Sequence, residues 1–178
     1  MSWKLDPMNT QIGFSVKHMM VTTIRGSFKD FNAELDLNEQ HPEQSRVTVT
    51  IQANSIDTGV EMRDNHLRSA DFFDVEHFST ITYVSKRVEK VDDTHYRMVG
   101  ELTMHGVTHE VPLKFTVGGP YKDPMGQRAI AFSARTSISR KKFGMAFNMP
   151  MANGGWAVSD RVELSIQAET VEQAEEAA

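Results

Sequence analysis

The sequence predicts an all-β protein of about eight antiparallel strands in a sandwich or an up-and-down barrel, with a short helical insertion near residues 58–75. Three observations lead there. Apolar residues return at every second position in run after run, the period of a half-buried strand. The runs are joined mostly by turn-forming stretches, which favour antiparallel neighbours. Only the stretch from Thr58 to Val75 carries clear helix signals.

From Gln11 to His18, Ile12, Phe14, Val16 and His18 fall on one side, with Gly13, Ser15 and Lys17 on the other. A bend near Arg25-Gly26 leads to a second run, Phe31, Ala33, Leu35 and Leu37 facing one way and Asn32, Glu34 and Asp36 the other. Asn38 to Ser45, with Pro42, reads as a loop. Val47, Val49, Ile51 and Ala53 then alternate with Thr48, Thr50 and Gln52 in a third run rich in β-branched residues. After the insertion, a fourth run faces inward with either Ile81 and Tyr83 or Thr82 and Val84; the pattern does not choose. Asp92-Asp93 marks a turn. Tyr96, Met98, Gly100, Leu102 and Met104 form the fifth run, His105-Gly106-Val107 the next turn, and Val111, Leu113, Phe115 and Val117 the sixth run. Gly118-Gly119-Pro120, Pro124 and Gly126 predict the longest plain loop. Ile130, Phe132, Ala134, Thr136 and Ile138 supply the seventh run, and Val162, Leu164, Ile166 and Ala168 the eighth. With no internal repeat or linker, residues 1–169 read as one domain, followed by an acidic, Ala-rich tail over 170–178 that frays.

The insertion has its own logic. Thr58 followed three residues later by Glu61 is a capping box, each side chain meeting a backbone N–H that the first turn leaves free. Asp64 and Arg68 stand four apart in the favourable order for an ion pair on one helix face. Ser69 starts a second turn, and Asp71-Phe72-Phe73-Asp74 closes the stretch. Adjacent Phe72 and Phe73 point different ways, so the piece wedges between two apolar surfaces as a plug or lid.

Composition narrows the function classes. The 178 residues suffice for a substantial core, and 39% hydrophobic with 24% charged residues is ordinary for a globular protein. A net charge of −5 and no basic stripe give nothing that steers towards nucleic acid. The absence of cysteine removes disulfides, thiol catalysis and Cys-ligated metal. The N-terminal Met-Ser-Trp-Lys-Leu-Asp-Pro lacks a signal peptide's apolar core and no run is long enough to span a bilayer, so a cytoplasmic protein is expected.

Few residues carry chemistry. His66, with Asp64 or Asp71 as carboxylate partner, offers the makings of a general base for an enzyme acting on a small apolar substrate. No nucleophile or oxyanion donor set accompanies it, and a lid whose charges pair among themselves is the favoured reading. His105 and His109 flank a turn, where a spacing of four does not bring side chains to one face, and no metal is expected. His18 points inward and is expected as a hydrogen-bonded core or pocket histidine. Phe143, Met145, Phe147, Met149 and Met151 alternate with Gly144, Ala146, Asn148 and Pro150; they are either core or a compliant wall for a flexible chain, with a slight lean to the latter. Beside them, Ser139-Arg140-Lys141-Lys142 is a turn or an anion contact. A solid-cored barrel acting only in protein interaction is the remaining alternative.

Several strings resemble the YceI-like family. Trp3, Asp6-Pro7, the Ile12–His18 run, Arg25-Gly26-Ser27-Phe28, and above all Arg63-Asp64-Asn65-His66-Leu67-Arg68-Ser69-Ala70-Asp71-Phe72-Phe73-Asp74 carry the likeness. So do the stretch Gly100–Thr108, Arg140-Lys141-Lys142-Phe143-Gly144 and the closing Val158–Glu169 strand, in order along nearly the whole chain. Where members often have His-Ser after Asp-Pro-x, this chain has Asn9-Thr10, so that His contributes no contact here. The resemblance implies a lipocalin-like barrel with a central tunnel, often dimeric, that binds polyisoprenoids such as isoprenoid quinones or polyprenyl phosphates, for carriage, storage or stress protection. Many members are periplasmic.

The expected function is therefore non-enzymatic binding of a long-chain isoprenoid lipid, with no cofactor and a homodimer as the assembly the resemblance implies. The expected ligand-binding wall is Phe14, Val16, His18, Leu35, Val49, Ile51, Leu102, Leu113, Phe115, Phe132, Phe143, Met145, Phe147 and Leu164. Arg63, His66, Arg68 and Arg140 are the head-group candidates near the mouth.

Overall fold

Alternating apolar and polar residues produce strands with one face to bury, and here that face closes on itself. The computed structural model describes residues 2–152 and 155–173. Among them the strands are β1 (Ser2–Leu5), β2 (Gln11–His18), β3 (Thr22–Phe28), β4 (Phe31–Asp36), β5 (Arg46–Gln52) and β6 (Ile56–Asp57). Helix α1 (Glu61–Arg68) follows, then β7 (Thr80–Lys90), β8 (His95–Met104), β9 (Val107–Lys122), β10 (Arg128–Ser139) and β11 (Val158–Gln173). All belong to one antiparallel sheet ordered β4-β5-β7-β8-β9-β10-β11-β2-β3-β6, with β1 pairing β11 beyond the end of β2. The sheet curls until β4 lies against β1, giving a lipocalin-like barrel.

The structure departs from the sequence expectations in instructive places. Among the described residues eleven strands stand where about eight are expected. The bend at Arg25-Gly26 is the middle of β3, where Gly26 lets the Phe14 ring lie close: a Cβ there would stand 2.5 Å from Phe14 Cζ. β9 continues through Gly118–Pro120 to Lys122, so the expected long loop shrinks to the turn at 123–127. The tail does not fray at 170. Thr170 is buried and pairs with both Leu5 and Ile130, and β11 runs to Gln173; residues 174–178 lie outside the described residues. In β7, Ile81 and Tyr83 face inward, and a bulge between Ser85 and Arg87 then puts Val88 among the buried residues. The extra bulge residue breaks the period of two, which is why alternation alone did not fix this register.

Helix α1 is shorter than the insertion, and its start is not a capping box. Val60 is the N-cap, with no side-chain hydrogen bond. Thr58 instead donates its backbone N–H (2.9 Å) and its hydroxyl to the buried Asp64. Arg68 pairs with Asn65 rather than Asp64. Phe72 and Phe73 do point different ways: Phe73 meets Phe28 at 5.7 Å, Phe72 meets Phe147 at 5.4 Å.

Candidate functional site

The barrel holds a cavity of about 700 Å³. Its wall follows from strand alternation: Val111, Leu113, Phe115 and Val117 of β9 point in, as do Val47, Val49 and Ile51 of β5 and Leu164, Ile166 and Ala168 of β11. Ile51, Tyr83, Leu102 and Val111 belong both to this wall and to the packed core with Phe28, Ile56, Met104, Phe143 and Met145, so they form its floor. The bore is thus blind at that end, where the family resemblance led us to expect a tunnel. The exposed lining residues Glu39, Asp93, Thr94, Gly119, Pro120 and Tyr121 gather at the other end and mark the mouth. From Val111 to Tyr121, β9 climbs roughly 30 Å at about 3.3 Å per residue, or roughly 25 Å along the axis at a tilt of about 40°.

Four of the polar side chains that line the bore are already engaged. Tyr83 donates its hydroxyl to the Val111 carbonyl at 2.8 Å, and burial, then Glu110, pushes its pKa up, so it stays a neutral donor. The Thr170 hydroxyl goes to Ile130 O (3.1 Å), the Thr10 hydroxyl to Asp6 O (2.6 Å), and the Ser45 oxygen accepts the Asn38 N–H (2.9 Å). What remains in the bore is hydrocarbon and aromatic surface, including Phe115 stacked on Tyr96 at 5.5 Å. Among the described residues no lysine, arginine or histidine lines it.

Of the residues expected to form the wall, Leu35, Val49, Ile51, Leu102, Leu113, Phe115, Phe132 and Leu164 line the cavity. Phe14, Val16, His18, Phe143, Met145 and Phe147 do not. Strand tilt explains the first three: of β2, only Ile12 reaches the bore, and Phe14 packs against Phe28 at 5.7 Å below the floor. Val16 and His18 lie further down, towards the β2–β3 turn. Phe143 and Met145 are buried in the core, which overturns their reading as a compliant ligand wall, and Phe147 packs on His66 and Phe72. Met149 is exposed.

The head-group candidates sit at the closed end, away from the mouth. Arg63 donates to the Thr58 hydroxyl (2.7 Å) and carbonyl (2.8 Å); Arg68 donates to Asn54 O (2.8 Å), Ile56 O (3.0 Å) and Asn65 Oδ1 (2.9 Å). Arg63 ties α1 to the segment that leads into it, and Arg68 ties it to the β5–β6 connection and β6. Arg140 is buried and donates to the carbonyls of Met145 (2.7 Å), Phe147 (2.8 Å), Ser159 (2.9 Å) and Val158 (3.3 Å), with Phe72 under its guanidinium at 5.9 Å. Burial pushes its pKa down against the pull of Asp160. It staples the segment entering β11, spending four of its five N–H donors on these carbonyls.

His66 does meet a carboxylate: Nε2 lies 2.9 Å from Asp71 Oδ2, with the ring edge-on to Phe72 and Phe147 at 5.1 Å each. Asp64, the other suggested partner, is committed to Thr58. The pair lies on the surface beyond the floor, not in the cavity. His105 and His109 donate to the Phe143 carbonyl (3.0 Å) and the Lys142 carbonyl (2.8 Å), fixing the β8–β9 turn to the segment that carries Phe143. Among the described residues no group of three or more His, Asp or Glu is placed to hold a metal ion, and no helix is long and apolar enough to cross a membrane.

The rim escaped sequence reasoning. Leu37, Met98, Ile130 and Ile166 continue alternations already visible and were within reach of it. Glu39 and Asp93 come from two separate connections, where no period operates, and Tyr121 lies near the end of β9 beyond a register shift against β10. Arg128, the first residue of β10, holds this end together: it binds Glu172 at 2.7 Å and Glu39, and lies over Trp3 at 5.8 Å.

A family model described as a YceI-like domain matches residues 3–170. A UPF0312 protein of Staphylococcus epidermidis is 36% identical over 168 residues, covering 94% of this chain and 95% of that protein. Among solved structures, the Campylobacter jejuni YCEI protein aligns with a TM-score of 0.77 at 32% identity, over 89% of this chain and 90% of its own. A polyisoprenoid binding domain from Saccharophagus degradans, implicated in plant cell wall breakdown, shares the fold at 13% identity, with a TM-score of 0.73 over 97% of this chain and 99% of that one.

Proposed function

This chain belongs to the YceI-like family, and from that premise we propose that it binds one long isoprenoid lipid, chemically unchanged, with the tail in the bore and the head group at the mouth. One observation carries the proposal: a deep cavity of about 700 Å³ whose walls are predominantly apolar to the floor and whose carboxylates stand at the rim. That volume falls within the roughly 300–1,000 Å³ of small-molecule sites. The description of the Saccharophagus domain as polyisoprenoid-binding supports the same chemistry on this fold.

The energetics agree. Burying one carbon contributes about 0.8 kcal/mol, so a five-carbon unit contributes about 4 and three units about 12 kcal/mol. Association costs at least about 4 kcal/mol. The remainder, at most about 8 kcal/mol, corresponds to roughly micromolar affinity at best from three units without any polar anchor. Turnover has no support among the described residues of the bore, which include neither a nucleophile–base pair nor a free acid at depth. Calorimetric titration with geranylgeraniol, an isoprenoid alcohol of four units, tests the reading. Saturable binding near one per chain at micromolar concentration is expected; no binding would overturn it.

A further inference from the structure

The mouth has a charge arrangement that the binding of an oily tail does not require. The two ionisable side chains that line it, apart from tyrosines, are the carboxylates of Glu39 and Asp93. Their cationic partners are absent from the lining: Lys90 meets Asp93 at 3.3 Å, and Arg128 is shared between Glu39 and Glu172. Glu39 accepts from both terminal nitrogens of Arg128, so the end-on edge of the guanidinium already holds a carboxylate of this chain. Glu172 takes the remaining direction on the Nη1 side.

We propose that Glu39 sets the head-group selectivity of the bore: lipids with a neutral head group are admitted, and those with an anionic one are refused. A phosphate or carboxylate arriving at the mouth meets two like charges and finds the end-on edge of Arg128 held by Glu39. A neutral alcohol or carbonyl head group meets no such repulsion. The inference rests on the isoprenoid reading above and divides its ligand class by charge.

The test compares two ligands with one tail. Geranylgeraniol and geranylgeranyl phosphate are titrated into the wild-type protein, E39Q and the double variant E39Q/R128Q, with thermal melts confirming that each is folded. The wild-type protein should bind the phosphate at least ten-fold more weakly than the alcohol. E39Q removes one repulsive charge and frees Arg128 for bidentate anion contact, and should bring the two affinities within about three-fold by tightening the phosphate alone. E39Q/R128Q should lose that gain, because it depends on the guanidinium. Equal affinity of the wild-type protein for both ligands, a comparison that needs no variant, would overturn the selectivity and leave the isoprenoid reading standing. An unchanged gap in folded E39Q would remove the assignment to Glu39. Binding of neither ligand would remove the isoprenoid reading and this inference with it.

Discussion

Val49→Trp asks whether the bore is hollow. Val49 lies on β5 two residues above the floor residue Ile51, opposite Ala33 on one side and Tyr83 on the other, and its side chain is part of the wall. An indole there projects across the lower bore. In a packed core such an insertion displaces neighbours and costs about 1–3 kcal/mol. In a cavity of about 700 Å³ it finds apolar surface and space, so stability should change by less than about 1 kcal/mol. A bound tail, by contrast, can no longer reach the floor. Losing its deepest five-carbon unit removes about 4 kcal/mol, close to a thousand-fold in affinity. Urea unfolding reads the first quantity and titration with geranylgeraniol the second. Wild-type affinity in V49W would refute the placement of the tail, and a loss of 2 kcal/mol or more of stability (about the middle of the overpacking range) would refute the hollow bore.

Other expectations concern the frame around the cavity. Arg140→Met takes the guanidinium donor from the carbonyls of Met145, Phe147 and Ser159, while Val158 O keeps Asn148 Nδ2, and should cost about 3 kcal/mol or more, seen as a lower urea midpoint at unchanged slope, while any folded protein keeps its ligand affinity within about three-fold. Gly100→Ala puts a Cβ 2.5 Å from Tyr83 Cζ and 2.7 Å from the Val84 carbonyl oxygen; because backbone cannot swing aside, about 1–3 kcal/mol of stability should be lost and the floor disturbed. The Asp92 carboxyl accepts N–H bonds from Thr94 (2.9 Å) and His95 (2.8 Å), and these, with the His95 ring, hold its pKa at about 2 against an ordinary 3.8. A carboxyl depressed on folding adds stability that is present above its unfolded pKa and lost as pH falls through the folded one. Asp92→Asn should therefore lower the melting temperature at neutral pH and flatten its fall between about pH 4 and pH 2, measured by melts across that range.

The fold was legible wherever one face of a strand is buried, because burial imposes a period of two. Leu113 and Phe115, or Leu164 and Ile166, needed nothing else. Local exceptions hid the remaining strands. The β2–β3 hairpin turns through Met19 and Met20, both at positive φ (54° and 68°), a conformation that Asn and Gly normally announce. The Ser85–Arg87 bulge breaks the count in β7. The insertion was correctly read as helix and wedge, yet its charges were assigned by helix spacing alone, whereas Asp64 and Arg68 reach back across the chain to Thr58 and Asn54. The same gap explains the misplaced head-group candidates. An arginine in a sequence looks available for anions until the carbonyls it serves are in view, and Arg140 serves four. Which end of a barrel is open is decided by where strands start and stop around the whole sheet. That made the rim, with Glu39, Arg128 and Tyr121, invisible one run at a time.

The central claim, an empty oily bore that carries an isoprenoid tail, is met most directly by native mass spectrometry of the protein purified from its own host, followed by organic extraction and lipid identification. The account predicts one lipid per chain, released by solvent and identified as a polyisoprenoid with an uncharged head group. Protein recovered at its bare mass that also stays bare when incubated with polyisoprenoids would contradict it.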